Sequence, residues 1–126
     1  MQLFLLASAG GAIGAGLRFL VNEIFAARGL VTFPWATLTI NIAGSLIMGL
    51  LIGLFAHRSH VSMEMRTFLT TGILGGFTTF SAFSMDFARL FENGETIEAV
   101  AYVLASVLLS LIAVFAGLWL SRLVFA

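Results

Sequence analysis

Four apolar stretches, each about as long as a membrane crossing, take up nearly all of this chain. They run roughly from Leu3 to Val21, Trp35 to Phe55, Met65 to Phe87 and Ala99 to Leu123. A crossing needs about 20 mostly apolar residues, so four of them nearly exhaust the length. Of the 126 residues, 60% are hydrophobic and only 10% are charged, too much apolar surface for a soluble domain of this size to hide. The expected fold is therefore an all-α membrane protein, a single four-span domain over residues 1–126 embedded in a lipid bilayer, with no room for an extramembrane domain. Composition also removes several functions. Cysteine is absent, which excludes a disulfide framework and thiolate chemistry. All six cations are arginines, and they are scattered, so there is no basic stripe for nucleic acid. The Met1 end has no basic leader before its apolar run and reads as a first span, not a cleaved signal.

The third stretch is the unusual one. Residues Gly75 to Ser84 read Gly-Gly-Phe-Thr-Thr-Phe-Ser-Ala-Phe-Ser. Leu, Ile and Val would make a more stable crossing. Glycines and hydroxyls at mid-membrane depth need partners or a task. This pattern predicts that the third span breaks near mid-membrane, beside an ion path. Two other spans carry polar stripes. Thr37, Asn41 and Ser45 recur every four residues, as do Tyr102, Ser106 and Ser110, so each set shares one helix face. An amide in hydrocarbon must find hydrogen-bond partners. Asn41 either joins two helices or donates its NH2 to an anion. The intramembrane polar groups are mostly neutral donors, which suit an anion, since a pore must replace the lost waters with hydroxyl and amide hydrogens. Aromatic ring edges carry the positive part of the ring quadrupole and can add to this.

Other features have simpler readings. Gly10 with Gly14, and Gly49 with Gly53, are small-xxx-small pairs that let helices approach closely. Arg18, near the end of the first span, is expected to snorkel or to hold a helix end. Trp35 and Trp119 fit the interfacial aromatic belt. Asp86 lies near the end of the third span, three residues before Arg89, and is read either as its ion-pair partner or as a pore-mouth charge. His57 and His60 fall in a polar loop with no carboxylate or thiolate set converging on them, so a solvated loop is expected there.

With these residues in view, the chain closely resembles the Fluc family of fluoride channels, also called CrcB proteins. The resemblance runs the whole length. It includes Gly10-Gly11 through Arg18-Phe19, Thr37 through Asn41 to Gly44, Gly72 through Gly75-Gly76 to Phe83-Ser84, and Tyr102, Ser106 and Ser110. The third-span motif is its specific part. The resemblance implies a passive, fluoride-selective channel in the bacterial inner membrane, not an enzyme. It implies a dimer of two identical subunits in opposite orientations, with two pores. Phe80 and Phe83 match the family's pore phenylalanines, Asn41 its pore asparagine, and Ser106 and Ser110 its fourth-span hydroxyl track; Thr37, Ser84 and Tyr102 are expected along the same fluoride pathway. One structural sodium ion is implied at the dimer centre, on the backbone carbonyls of Gly75 and Thr78. Two positions depart from the pattern: Asp86, where relatives often have Glu, and Ala82, where they often carry a hydroxyl.

Two other classes compete. A small dual-topology proton-coupled drug exporter needs a carboxylate at depth, and the first span has none before Glu23. A structural subunit of a larger membrane complex would explain the glycines but not the matched stripes. Orientation is balanced. With a cytoplasmic N-terminus, Arg58, Arg66 and Arg122 lie at cytoplasmic ends and Arg18, Arg28 and Arg89 at the opposite ends. Formal net charge is zero, so the positive-inside rule favours neither direction.

Overall fold

A computed structural model describes residues 1–58 and 60–125. All the regular structure in these residues is helical. The elements in chain order are α1 (Gln2–Ala27), α2 (Trp35–His57), α3 (Met63–Arg66), a π-helix (Thr67–Leu74), α4 (Gly75–Phe77), α5 (Ser81–Glu92) and α6 (Thr96–Phe125). Three of them, α1, α2 and α6, are long and apolar enough to cross a membrane. The fourth expected span is divided: α3, the π-helix and α4 run on from one another through 63–77, the chain is non-helical at Thr78 and Phe80 flanks the start of α5.

Two glycines make the sharp turns. Gly29 and Gly94 have φ of +74° and +79°, the left-handed conformation that closes a helix without Cβ strain. Each turn is sealed by an amide reaching back five residues, Leu30 N–H to Phe25 O and Glu95 N–H to Leu90 O. That is the bonding of a Schellman end. Asn93-Gly94 thus separates α5 from α6 within a few residues.

The helices pair in two close contacts. α2 packs most extensively on α6, and α1 packs on segment 63–77. Both contacts bring backbone against backbone. A Cβ added at Gly49 would strike the Val114 carbonyl, and one at Gly117 the Leu46 carbonyl. A Cβ on Gly53 would meet the Ser121 hydroxyl. On the other side, Gly10 faces Phe68 O and Gly72, Gly14 faces Ile73 O, and Gly76 faces Gly11 O. The two glycine pairs expected to pack do so, with different partners. Where α5 crosses α2 and α6, a cluster of Leu38, Leu90, Ala99 and Tyr102 is buried, and Phe33, Phe83 and Phe87 pack around it.

Two features differ from the sequence reading. Gly75 and Gly76 are helical and do not form the break, which begins at Thr78 (φ −79°, ψ 158°). Gly76 is needed for its contact with α1. The π-helix was not foreseen either. In it each turn is wider, and Gly75 N–H reaches Thr70 O, five residues back.

Candidate functional site

The site begins with the hydrogen bonds that a broken helix loses. In an unbroken helix the carbonyls of residues 75–79 would accept from amides four residues on. Here neighbouring helices and local side chains take over some of them. Arg18 on α1 donates its Nε–H to Gly76 O at 3.2 Å. Asn41 on α2 grips Thr79 at two points. Its Nδ2 donates to Thr79 O at 3.0 Å, and its Oδ1 accepts from Thr79 N–H at 2.9 Å. The Thr79 hydroxyl accepts from Ala82 N–H at 3.1 Å, capping the start of α5 as a threonine three residues before the amide can. Thr78 turns back on Leu74 O with both its amide (3.0 Å) and its hydroxyl (2.9 Å). Among the described residues, no hydrogen bond ends on the carbonyls of Gly75 or Thr78. Those are the two carbonyls on which the family resemblance places a sodium ion. Being neutral, unpaired oxygens at a helix interruption, they are fit ligands for a hard cation.

A groove of about 620 Å³, open along one side, lies against this break. α2 contributes Asn41, Gly44 and Ser45, α6 contributes Ser106 and Ser110, and the broken span contributes Gly75, Thr78, Thr79, Phe80 and Phe83. Gly44 leaves room for the Thr78 methyl, which a Cβ there would strike. No charged side chain is among the lining residues. Ser106 is 94% buried, with an exposure of 6%. Its Oγ has no hydrogen-bond partner. A hydroxyl left so costs about 1–3 kcal/mol of desolvation, so the fold tolerates it at some expense. Phe80 and Phe83 lie with ring centroids 5.4 Å apart and planes inclined at 56°. The Phe80 ring, 78% exposed, stands at the open side. The N-terminal end of α5 also meets this groove, where the helix dipole is positive.

The expected residues therefore divide. Asn41, Phe80, Phe83, Ser106, Ser110, Gly75 and Thr78 are collected into one groove. Tyr102, Asp86, Thr37 and Ser84 are not among its lining. Tyr102 is fully buried, and its hydroxyl donates to Asp86 Oδ2 at 3.0 Å. Asp86 also pairs with Arg89, Oδ1 to Nη2 at 3.6 Å, the ion pair expected from their spacing. Thr37, Asp86 and Arg89 line a smaller cavity of about 230 Å³, together with Asn22 and Glu23. Tyr102 stands between the two spaces. Its ring centroid is 5.2 Å from that of Phe83, which lines the groove, and 5.6 Å from that of Phe33, which lines the smaller cavity. Ser84 donates its hydroxyl to Phe80 O within its own helix at 3.0 Å. Arg18 is held by Gly76 O near the end of α4.

Two residues were missed. Thr79 is both the partner of Asn41 and the cap of α5, and a threonine three residues ahead of a helical amide was the available signal. Arg66 reaches from the third span to Phe55 O at 3.4 Å and Val61 O at 3.3 Å, closing the end of α2. Its cation also lies 4.9 Å from the Phe55 ring centroid.

Comparison with known proteins shows the family. Residues 5–118 match the family described as CrcB-like protein, Camphor Resistance (CrcB). A protein of Rhizobium meliloti (strain 1021) named "Fluoride-specific ion channel FluC" is 51% identical over 122 residues, covering 97% of this chain and 98% of that one. A protein of the same name from Mesorhizobium japonicum is 55% identical over 120 residues, 94% of each chain. One from Hyphomonas neptunium is 50% identical over 100% of both. With its family match spanning most of its length and relatives at half identity end to end, this multi-pass membrane chain belongs to the CrcB family.

Proposed function

We propose that this chain is a passive fluoride channel, not an enzyme, and that the groove beside the helix break forms one wall of its pore. The observation that carries this is Ser106, a buried hydroxyl with no partner among the described residues, in a groove where neutral donors and aromatic rings stand beside the apolar Met48, Val107, Leu111 and Val114 and no charge lines the wall. Fluoride entering the groove exchanges water for Ser106, Ser110 and the second amide hydrogen of Asn41. Phe80 and Phe83 offer ring edges. Several weak positive partners replace hydration without holding the ion so tightly that it stays. A fixed cation in the groove would hold it more strongly. Fluoride leaves the cytoplasm down its electrochemical gradient, helped by about 2.3 kcal/mol per charge per 100 mV of inside-negative potential. That gradient answers a chemical need, because hydrogen fluoride enters uncharged and dissociates in a more alkaline cytoplasm.

The divided segment serves as the fourth crossing of the bacterial inner membrane. Its two helical pieces, 63–77 and α5, measure about 22 and about 18 Å at 1.5 Å per residue, together more than the ~30 Å hydrocarbon core. The groove's open side is completed by a second, antiparallel copy, giving a homodimer with two pores. The three-against-three division of arginines supports insertion in both directions. A C-terminal tag should be reached from both faces of the membrane; a tag reached from one face only rules this assembly out. The free carbonyls of Gly75 and Thr78 in both copies hold one structural sodium ion at the centre. When bound, the ion supplies the positive charge that satisfies these otherwise costly buried oxygens. Flux and dimer stability that do not change when sodium is replaced by a large organic cation would remove it from the account.

The deciding experiment is fluoride efflux from liposomes containing the purified protein, with no proton gradient. Efflux supports the channel. Proton flux driven by a cationic drug would mean an exporter instead, and silence in both assays a structural subunit. The exporter reading lacks a carboxylate in the groove, and the subunit reading leaves the Ser106 hydroxyl unexplained.

A further inference from the structure

The break contains more loose carbonyls than a single cation can use, and their orientation has to be decided by something. Gly75 and Gly76 are adjacent glycines with wide backbone freedom, and α4 ends at Phe77, so Gly76 O lacks the amide four residues on that would hold it in an unbroken helix. The flanking groups fix it from three sides. Thr78 is tied to Leu74 O by its amide and its hydroxyl. Thr79 is held at both its N–H and its carbonyl by Asn41. Between those anchors, Gly76 O is drawn toward α1 by the Nε–H of Arg18. α1 is close enough for this because Gly11 and Gly76 meet backbone to backbone. Among the described residues Gly75 O, Phe77 O and Thr78 O are left without partners around the captured carbonyl, and the sodium reading takes the first and the last of them.

We propose that Arg18 is a positioning residue for the central cation site: by capturing Gly76 O it sets the rotation of the break at which Gly75 O and Thr78 O are presented together. This rests on the sodium reading given above and deepens it. The sign of the effect separates positioning from charge. A guanidinium acting only as a nearby positive charge repels a cation, so removing it tightens sodium binding. A guanidinium that positions carbonyls has the opposite effect, because without it Gly76 O is free to turn and the site loses its preorganisation.

The experiment measures thermal stability of the purified dimer while sodium chloride replaces the chloride of a large organic cation at constant ionic strength. A ligand that binds only the folded dimer raises stability as RT ln(1 + [L]/Kd), so the concentration that adds RT ln 2, at which half of the folded sites are filled, tracks its affinity and is the midpoint compared below. Arg18→Met keeps the length of the side chain and removes its donors and charge. It is expected to raise the sodium concentration for half-protection at least about tenfold. Arg18→Lys keeps the charge and one donor group but loses the planar fork, and its midpoint should fall between those of Arg18→Met and the parent protein. A general packing role lowers stability at every sodium concentration and leaves the midpoint in place. An unchanged or lowered midpoint in Arg18→Met therefore overturns the proposal, whatever the loss of stability. If Arg18→Met does not assemble, Arg18→Lys decides: a raised midpoint supports positioning, and a parental midpoint overturns it. A parent protein indifferent to sodium removes the sodium reading itself, and the role of Arg18 falls with it.

Discussion

The segment 63–92 and helix α6 have the same length, yet α6 is one continuous helix of 30 residues and the other is divided into four pieces. Both are apolar, and both carry serines or threonines and glycine. What differs is how these residues are arranged and what lies alongside. In α6 the hydroxyl residues are isolated, Thr96, Tyr102, Ser106, Ser110 and Ser121, and Ser121 bonds back to Leu118 O at 2.9 Å. A lone hydroxyl can be absorbed in that way without ending a helix. In 63–92 four of the five threonines come in pairs, Thr70-Thr71 and Thr78-Thr79, close to Gly72, Gly75 and Gly76. More decisively, neighbouring helices offer substitutes for the lost helix bonds. Among the described residues α6 receives no such side-chain bonds, whereas the broken segment receives Arg18 from α1 and Asn41 from α2. A membrane helix can break where other side chains can satisfy the exposed backbone. The groove arises at that place, with an intact helix as one wall and a broken one as the other.

The largest effect should come from the side chain that joins the two regions. Asn41→Asp replaces the Nδ2 donor with a carboxylate oxygen, so Thr79 O loses its partner and faces a negative atom across about 3 Å. The new charge also repels an anion entering the groove. Fluoride efflux is expected to fall by more than about a hundredfold, a barrier increase of about 2.7 kcal/mol or more. Efflux within a few-fold of the parent would mean that the break does not depend on α2, and the contrast drawn above would be wrong. Next come the rings on the broken side. Phe80→Ile and Phe83→Ile keep bulk and apolarity and remove the quadrupole. Each is expected to cut efflux at least about tenfold, or about 1.4 kcal/mol, with the elution of the parent protein kept in gel filtration. Near-normal flux in both variants would assign the rings to packing.

Much of this contrast was legible in the sequence, because it is written in residue types. Apolar length gave the long helices, and the Thr-Thr and Gly-Gly pairs marked which span breaks. Spacing by four put Asn41 with Ser45, and Ser106 with Ser110, on the faces that meet the groove. Three-dimensional register was not legible. Thr37 and Tyr102 share those stripes, but each helix leaves the groove within a turn, so Thr37 lines the smaller cavity and Tyr102 bonds Asp86. The π-helix depends on how Gly10 and Gly14 seat against residues 68–77, a tertiary fit without a one-dimensional pattern. The break falls at Thr78 and not at the glycines because Asn41 grips Thr79, a partner 38 residues away.

On the intact wall, Ser106→Ala separates stability from conduction. Among the described residues the hydroxyl is buried without a partner, so its removal relieves desolvation and is expected to stabilise the protein by up to about 1 kcal/mol. The same change takes one donor from the groove. Efflux is expected to fall about fivefold, close to 1 kcal/mol of barrier. Thermal unfolding and liposome efflux, measured on the same preparation, should therefore move in opposite senses. A loss of stability on substitution would show that Ser106 has a structural partner in the assembled protein, and would move the donor role to Ser110.

The smallest effect is expected at Ser84, and it tests whether the broken span contributes through its geometry or through every hydroxyl it carries. Ser84 belongs to the same hydroxyl-rich run as Thr78 and Thr79, and sequence alone places it on the pathway. Its hydrogen, however, is committed to Phe80 O at 3.0 Å. It is exposed and lies outside the lining of the groove. A helical serine bonded to its own i−4 carbonyl contributes little to stability, because the carbonyl already accepts the Ser84 amide at 2.9 Å. Ser84→Ala is therefore expected to change efflux by less than about twofold, under about 0.4 kcal/mol of barrier, while Ser106→Ala in the same assay falls about fivefold. If Ser84→Ala proves the more damaging, the ion passes on the other face of α5. The pore wall would then be the exposed side of the broken span, and the groove against α6 would be a packing defect filled by the second copy.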